Sequence, residues 1–431
     1  MSSAGTPARR PNQWRVGTVS GMASYIDGAA LAAYATAIVL YQQPLGLTGT
    51  DIGVLSAILT LGVAIGAAVG GRLGDALGRR SVFLVTMVLI VLSSGALVFG
   101  TAFPLLVVAT AALGFAVGAD LPVSIATIAE AATEENRGKL VSFSQTLWFA
   151  GQLISILLSA LVGGLGRFGG QILFAHVGIA ALIILILRLS LPESQEWLAA
   201  RDERRSGATT LRAQRVGIAD VLKDRVLLVP FLALMVFYTA ITVGGNTFGQ
   251  FSSYIAINVA HTSVQALSTA NLIVGLPLGL VCALVFMRVA DTRFRMKAYL
   301  IGFVAWISAY SVPIAFGFSL PTLTITIAFG TIAGGLAGEA IMRVWSQETF
   351  PTLVRASVQG AVLAIARIAS AGVALVAPQL LTAPRLFFLS LAATAAIGLV
   401  VGWIAFHKGR INAFKVEAQD VSVAEFDHER S

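Results

Sequence analysis

Long apolar segments separated by short polar stretches make up most of this 431-residue chain. Each segment approaches the roughly 20 residues that one membrane-spanning helix needs. The predicted spans are residues 17–43, 50–72, 81–101, 104–130, 141–165, 170–191, 226–257, 266–288, 298–318, 321–348, 356–381 and 385–407. Within them apolar residues are continuous rather than alternating, which excludes a membrane β-barrel. The pattern predicts an all-α membrane protein with twelve transmembrane helices.

Composition agrees with a lipid environment. Hydrophobic residues make up 57% of the chain and charged residues 12%, whereas a soluble domain carries about 25% charge. The four histidines are scattered, and Cys282, the single cysteine, is expected to pack within a helix. The glycine-rich segment near residue 75 lacks the GK[ST] of a phosphate-binding loop. We therefore expect no metal and no cofactor, and no nucleophile–base pair suggests an enzyme.

The basic residues are distributed unevenly along the chain. Of the 29 Lys and Arg residues, 25 lie in the N-terminal segment, the even-numbered loops, the C-terminal tail or adjacent helix ends. This asymmetry predicts that both termini are cytoplasmic in a cell membrane, and it explains the net charge of +8 without nucleic acid. Arg343 and Arg367 lie inside predicted helices 10 and 11. Residues 1–16 are polar, so no cleavable signal peptide is expected.

Two charged motifs occur twice at nearly equal offsets. The pairs are Asp75–Arg79 with Asp291–Arg295, and Glu130–Arg137 with Glu348–Arg355. The offsets are 216 and 218 residues, which predicts two equivalent halves and hence a transporter built from parallel repeats. The predicted organisation is a cytoplasmic N-terminal segment (1–16), a six-helix half (17–191), a cytoplasmic linker (192–225), a second six-helix half (226–407) and a cytoplasmic tail (408–431).

The loop GRLGDALGRR at residues 71–80 resembles the signature between helices 2 and 3 of the major facilitator superfamily. The segment from Glu130 to Gly138, PESQEWL at 192–198 and the segment from Glu348 to Arg355 are similar to the sugar porter family within it. The resemblance implies two pseudo-symmetric halves that alternate in access and a cytoplasmic gating network formed by the eight charged residues of the repeated motifs. On the other interpretation, these charges only mark topology.

Two helices carry polar side chains suited to a hydroxyl-rich solute. In predicted helix 5, Gln145 and Gln152 are seven residues apart on one face, and this stretch resembles the sugar porter helix whose two glutamines bind sugar. Interhelical hydrogen bonding is the alternative. Predicted helix 7 adds Asn246, Gln250 and Tyr254 at spacings of four. We expect these carboxamides to bind the solute at the membrane midplane.

Three acidic residues lie deep in predicted helices: Asp27, Asp120 and Glu339. Burial favours the neutral form of a carboxyl group, so each is a candidate proton carrier. By resemblance, Asp27 corresponds to the helix 1 aspartate of proton-coupled sugar porters. That family's helix 4 arginine is replaced here by Thr110, so Asp120 is a candidate second proton group.

Each acid also has a structural interpretation. Asp27 could bond to a neighbouring hydroxyl, and Asp120 could satisfy backbone groups freed by Pro122. Glu339 and Arg343, four residues apart, could form a self-contained ion pair. Arg367 could be a partner for any of the three acids. Trp345 is expected to serve packing.

The combined prediction is a proton-coupled symporter, functional as a monomer, that takes up a sugar or polyol such as an inositol. The alternatives are a proton-driven exporter or carrier of cationic or other small metabolites, and a nutrient sensor that binds solute without moving it.

Overall fold

The computed structural model describes residues 13–133, 137–191, 193, 197–198, 225–350 and 352–407. Side chains are not described at positions 75, 129, 137–138, 141–142, 226 and 352–357. The helices are α1 (Gln13–Leu40), α2 (Gly49–Leu77), α3 (Arg79–Phe99), α4 (Phe103–Ala131), α5 (Arg137–Val162), α6 (Arg167–Leu189), α7 (Arg225–Asn258), α8, α9 (Arg295–Phe316), α10, α11 (Thr352–Leu380) and α12 (Pro384–Phe406).

Two of these helices are interrupted. In α8, a π-helical turn (Asn271–Gly275) joins the segments Val264–Ala270 and Leu276–Val289. In α10, Gly338 separates α10a (Leu320–Ala337) from α10b (Glu339–Thr349). The described residues contain twelve helices long and apolar enough to span a membrane, with ends within a few residues of the predicted spans. The predicted fold class is confirmed, and no strand occurs in this part of the chain.

The turn between α2 and α3 depends on one glycine conformation. Gly78 has a φ of +97°, which L-residues with a side chain rarely adopt. A Cβ on Gly74 would lie 2.8 Å from Arg79 Nη1 and 3.0 Å from Val123, so its absence makes room for Arg79. Gly71 has no neighbour within 4 Å. The turn therefore depends on Gly78 and Gly74, whereas the open space at Gly71 does not require a glycine.

The helices pack into two compact units. The first comprises α1, α2 from Leu61 onward and α3 to α6. Within it, α1 and α5 approach until their backbones touch, because a Cβ on Gly28 would lie 2.4 Å from the carbonyl oxygen of Trp148. A Cβ on Gly151 would likewise lie 2.1 Å from the carbonyl oxygen of Tyr25. This approach brings the buried face of α1 directly against α5.

The second unit comprises α7 to α12 together with Leu47–Thr60, which includes the first part of α2. Its core is aromatic. The ring centroids of Phe237 and Tyr299 lie 5.1 Å and 5.2 Å from the ring centroid of Trp345. Trp345 is fully buried, which confirms its predicted packing role. In this unit α7 packs along α11, α12 and α10b, and α10b also packs on α11.

Candidate solute, proton and gating sites

An ion pair joins the start of α3 to the end of α4 in the first unit. Arg79 donates to Glu130 Oε1 from Nη2 at 2.9 Å and from Nε at 3.3 Å. Glu193, which follows α6, accepts from the backbone N–H of Arg79 at 3.0 Å and from that of Arg80 at 3.3 Å. The first N–H groups of a helix have no partner within the helix. Glu193 therefore supplies a hydrogen-bond acceptor to two of these N–H groups at the start of α3.

The second unit repeats this ion pair. Arg295, at the start of α9, donates from Nη1 to Glu348 Oε1 at 2.5 Å near the end of α10. Arg79 and Arg295 are therefore equivalent in position and partner, as are Glu130 and Glu348. The sequence pairing of Asp75 with Arg79 and of Asp291 with Arg295 missed these contacts, which run between helices. Asp291 is exposed.

Some predicted gating residues lie outside the described side chains: Asp75, Arg137 and Arg355. The gating role of the whole set stays a prediction.

Asp27 lies on the face of α1 that packs against α5. Its side chain is buried, with 4% of the residue exposed. The indole Nε1 of Trp148 donates to Asp27 Oδ2 at 2.8 Å. Sequence reasoning missed Trp148, although its position was a signal: it lies three residues after Gln145 and four before Gln152, on the same face of α5. The structure thus places a carboxylate-binding indole between the two predicted solute ligands.

The two glutamines differ in exposure. Gln145 is exposed, whereas Gln152 is half-buried, with its Cγ 3.4 Å from the position of a Cβ on Gly28. Thr110, which the resemblance places where sugar porters have an arginine, shares a 2.8 Å hydrogen bond with the hydroxyl of Tyr34. A neutral buried pair therefore occupies this part of α4.

Asp120 lies in a buried cluster with Arg188, which sequence analysis had counted among the basic helix ends. Arg188 Nη1 donates to Asp120 Oδ1 at 2.5 Å, and both side chains are almost fully buried. Thr86 also donates to Oδ1 at 2.9 Å, and Arg188 Nη2 donates to Ser124 Oγ at 3.0 Å. The guanidinium lies 4.3 Å over the ring of Phe83. This cluster joins α3, α4 and α6 around one buried charge pair.

In the second unit, polar side chains follow one face of α7. Gln250 Nε2 donates to Thr60 Oγ1 on α2 at 2.7 Å. Tyr254 is buried with its hydroxyl beside Gly49, and Asn246 is half-buried. The same spacing of four, continued backward, reaches Thr242 and Tyr238. This longer polar strip was visible in the sequence, but only its last three members were predicted.

Glu339 begins α10b and binds two partners. Arg343 donates from Nε at 2.9 Å and from Nη2 to Oε1, and the Tyr238 hydroxyl donates to Oε2 at 3.1 Å. The predicted ion pair between Glu339 and Arg343 is confirmed. Protein covers these side chains only partly: 44% of Glu339 and 55% of Arg343 remain exposed.

Arg367 occupies the middle of the α11 span and is half-buried. The pairing of Arg367 with one of the three acids, offered as a possibility by the sequence, is not seen among the described residues: Asp27 binds Trp148, Asp120 binds Arg188 and Glu339 binds Arg343. Among the described residues Arg367 has no hydrogen-bond or ion-pair partner. It does lie within Coulombic range of the Tyr238 hydroxyl.

A helical membrane protein whose two six-helix sets repeat the same interhelical ion pair has the architecture of a secondary transporter. The chain belongs to the Major Facilitator Superfamily, whose family model matches residues 18–374. It is therefore a multi-pass membrane protein of a transporter family that moves small solutes.

Two curated relatives cover most of the chain. The minor myo-inositol transporter IolF of Bacillus subtilis (strain 168) is 32% identical over 370 residues, which are 84% of this chain and 83% of IolF. The putative niacin/nicotinamide transporter NiaP of the same organism is 24% identical over 361 residues, 81% of this chain and 84% of NiaP.

Among solved structures, the D-xylose-proton symporter matches with a TM-score of 0.71 and 19% identity, covering 90% of this chain and 97% of that one. That likeness shows the fold. Together these findings make the chain a sugar porter-like transporter, and its relatives are transporters rather than enzymes.

Proposed function

We propose that the chain is a proton-coupled symporter that takes up a sugar or polyol, such as an inositol, by alternating access. The observation that carries this proposal is the hydrogen bond from Trp148 to Asp27 beside the α5 glutamines. The similarity to a myo-inositol transporter supports the solute class. On this proposal the protein works as a monomer in the cell membrane with both termini in the cytoplasm.

Asp27 is the proton carrier in this mechanism. When ionised, its carboxylate accepts a charge-assisted hydrogen bond from the Trp148 indole, and such bonds are stronger than neutral ones. Protonation removes the negative charge, weakens that bond and changes the constraint on the Trp148 side chain. Because Gln145 and Gln152 flank Trp148 on the same face, this change reaches the side chains that hold the solute. Proton and solute binding are then coupled through one helix.

The proposed solute ligands are carboxamides, which can donate to and accept from hydroxyl groups. Gln145 and Gln152 supply them from α5, and Asn246 and Gln250 supply them from α7, where Tyr254 adds a phenol. Polar side chains in membrane-spanning helices face a water-containing path or another polar group rather than lipid. The exposed position of Gln145 agrees with such a path.

The remaining charged residues have proposed roles that rest on the repeat. The Arg79–Glu130 and Arg295–Glu348 pairs, with the other members of the repeated motifs, would break and reform as access alternates. Glu339 stays a candidate proton carrier. We propose that Asp120 acts chiefly by holding α3, α4 and α6 together through Arg188, and its proton-carrying role also stays a prediction.

A carrier for other small metabolites is the second candidate function. The similarity to a putative niacin/nicotinamide transporter favours it, as do the charged side chains on α10b and α11. The same uptake experiment separates the two candidates.

The test uses proteoliposomes loaded with a pH-sensitive dye and a panel of sugars, polyols, organic cations and organic acids. We expect a sugar or polyol added outside to acidify the lumen. Asp27→Asn should abolish that proton movement while solute exchange continues. Asp51→Asn is the matched control, because Asp51 is a partly exposed acid that binds Thr48 at the start of α2. Unchanged proton movement in Asp27→Asn, or a response to organic cations alone, would contradict the proposal.

A further inference from the structure

Three mutually packed helices of the second unit carry a charged cluster within their membrane-spanning segments. Hydrogen bonds join Tyr238 on α7 to Glu339 and Glu339 to Arg343 on α10b. Arg367 on the neighbouring α11 lies within Coulombic range of Tyr238. Both carboxylate oxygens of Glu339 already have donors, since Oε1 binds Arg343 and Oε2 binds Tyr238. One acid therefore stands against two arginines, and the cluster has an excess positive charge.

Arg367 carries that excess. It lies in the middle of the α11 span, it is only half-buried, and no described residue forms an ion pair with it. An arginine at this depth is costly in lipid and faces a water-filled path or a counter-charge. The exposed fractions of Glu339 and Arg343 show that protein leaves part of this cluster uncovered, and charged side chains at this depth face water rather than lipid. The free guanidinium is thus available to a ligand.

The depth of Arg367 matches that of a predicted solute ligand. The Tyr254 hydroxyl on α7 and Pro378 on α11 meet α2 at the same level, because a Cβ on Gly49 would be 2.7 Å from that hydroxyl and 3.2 Å from Pro378 Cβ. Counting down from that level at about 1.5 Å per residue, Asn246 lies about 12 Å below and Arg367 about 16 Å below. The two residues therefore lie at similar depths.

We propose that Arg367 binds a carboxylate of the transported solute, so that the substrate class is a polyhydroxylated acid, such as an aldonate or a uronate. Guanidinium binds carboxylate with two parallel N–H···O bonds, while the Asn246 carboxamide suits a hydroxyl group at a similar depth. The inference rests on the proposed function, and it gives the proton a second purpose. Moving one proton with one carboxylate makes the transported charge zero, so that a negative-inside potential does not oppose uptake.

The test compares matched neutral and acidic solutes that differ in the carboxylate. The two matched pairs are glucitol with gluconate and glucose with glucuronate. Calorimetry measures the affinity of each solute for the full-length protein in detergent, where no proton gradient exists. We expect each acid to bind at least tenfold more tightly than its neutral partner. Arg367→Gln should remove that preference while the neutral solutes bind as before. Arg367→Lys, which keeps the charge but not the two-pronged geometry, should retain an intermediate preference.

Arg385→Gln is the matched control, because Arg385 is exposed at the start of α12 in the same unit. Equal affinity for acid and neutral solutes in the wild type would overturn the inference. The inference would also be overturned if Arg367→Gln and Arg367→Lys each lost affinity equally for the acidic and the neutral solutes, since that result would show a purely structural role. A preference for acids without proton movement would contradict the proposed symport but not the role of Arg367. Proton movement driven equally by neutral polyols would contradict the role of Arg367 but not symport.

Discussion

Replacing Trp148 with phenylalanine removes one hydrogen-bond donor while keeping an aromatic ring against α1. The bond it removes is the 2.8 Å contact from the indole Nε1 to Asp27 Oδ2. Hydrogen bonds to charged groups contribute about 1.5–3 kcal/mol. Because Asp27 is only 4% exposed, water cannot fully replace the lost donor. At about 1.4 kcal/mol per factor of ten, the equilibrium between the ionised and the protonated form of Asp27 should shift toward the protonated form by roughly 10- to 150-fold.

Two transport assays separate this effect from a general loss of structure. Concentrative uptake driven by a proton gradient requires Asp27 to bind and release its proton, whereas solute exchange at equal concentrations does not require net proton movement. In line with that free-energy range, we expect Trp148→Phe to lower concentrative uptake at least tenfold and to change its pH profile. Solute exchange should stay close to that of the wild type. Trp148→His, which restores a ring N–H, should recover part of the uptake.

Trp403→Phe is the control, because Trp403 is also half-buried but stacks on Tyr299 and His407 in the second unit. Unchanged concentrative uptake and an unchanged pH profile in Trp148→Phe would refute the reasoning. An equal fall of uptake and exchange in both Trp148 variants would show that the side chain is needed only for packing.

Two further predictions concern the first unit. Asp120→Asn should lower the free energy of unfolding by about 3–5 kcal/mol, since it leaves the buried Arg188 charge uncompensated. The apolar double variant Asp120→Leu with Arg188→Met should recover most of the thermal stability in detergent, and additive losses would contradict the charge-pair argument. Gly28→Ala should cost about 1–3 kcal/mol of stability by forcing α1 from α5, with Gly95→Ala as the control because a Cβ there meets nothing within 4 Å. Equal thermal stability of the two alanine variants would show that the close approach of α1 and α5 is dispensable.

Features with a local cause could be read from the chain. The spans follow from the thickness of the lipid core, because an apolar run of about 20 residues has to cross it as a helix whatever its neighbours are. The ion pair of Glu339 and Arg343 follows from a spacing of four within one helix. The repeated motifs revealed two equivalent halves, since equal offsets in sequence predict equivalent positions in repeated units.

Contacts between helices required the tertiary structure. Arg79 binds Glu130, 51 residues away in the sequence, a contact that the charged motifs did not predict. Arg188 looked like a basic helix end until the packing of α4 and α6 on α3 placed it against Asp120. These pairs depend on helix rotation and depth, which are set by packing across the whole unit rather than by local spacing.

The sequence by itself therefore determined that this is a helical transporter with repeated halves and named most of the polar side chains that could serve it. Only the tertiary structure decided which charges neutralise one another, which indole binds Asp27, and that Arg367 has no ion-pair partner among the described residues. The physical reason is distance along the chain. A hydropathy pattern reports how each segment meets its solvent, whereas an ion pair between residues tens of positions apart exists only once two helices have packed.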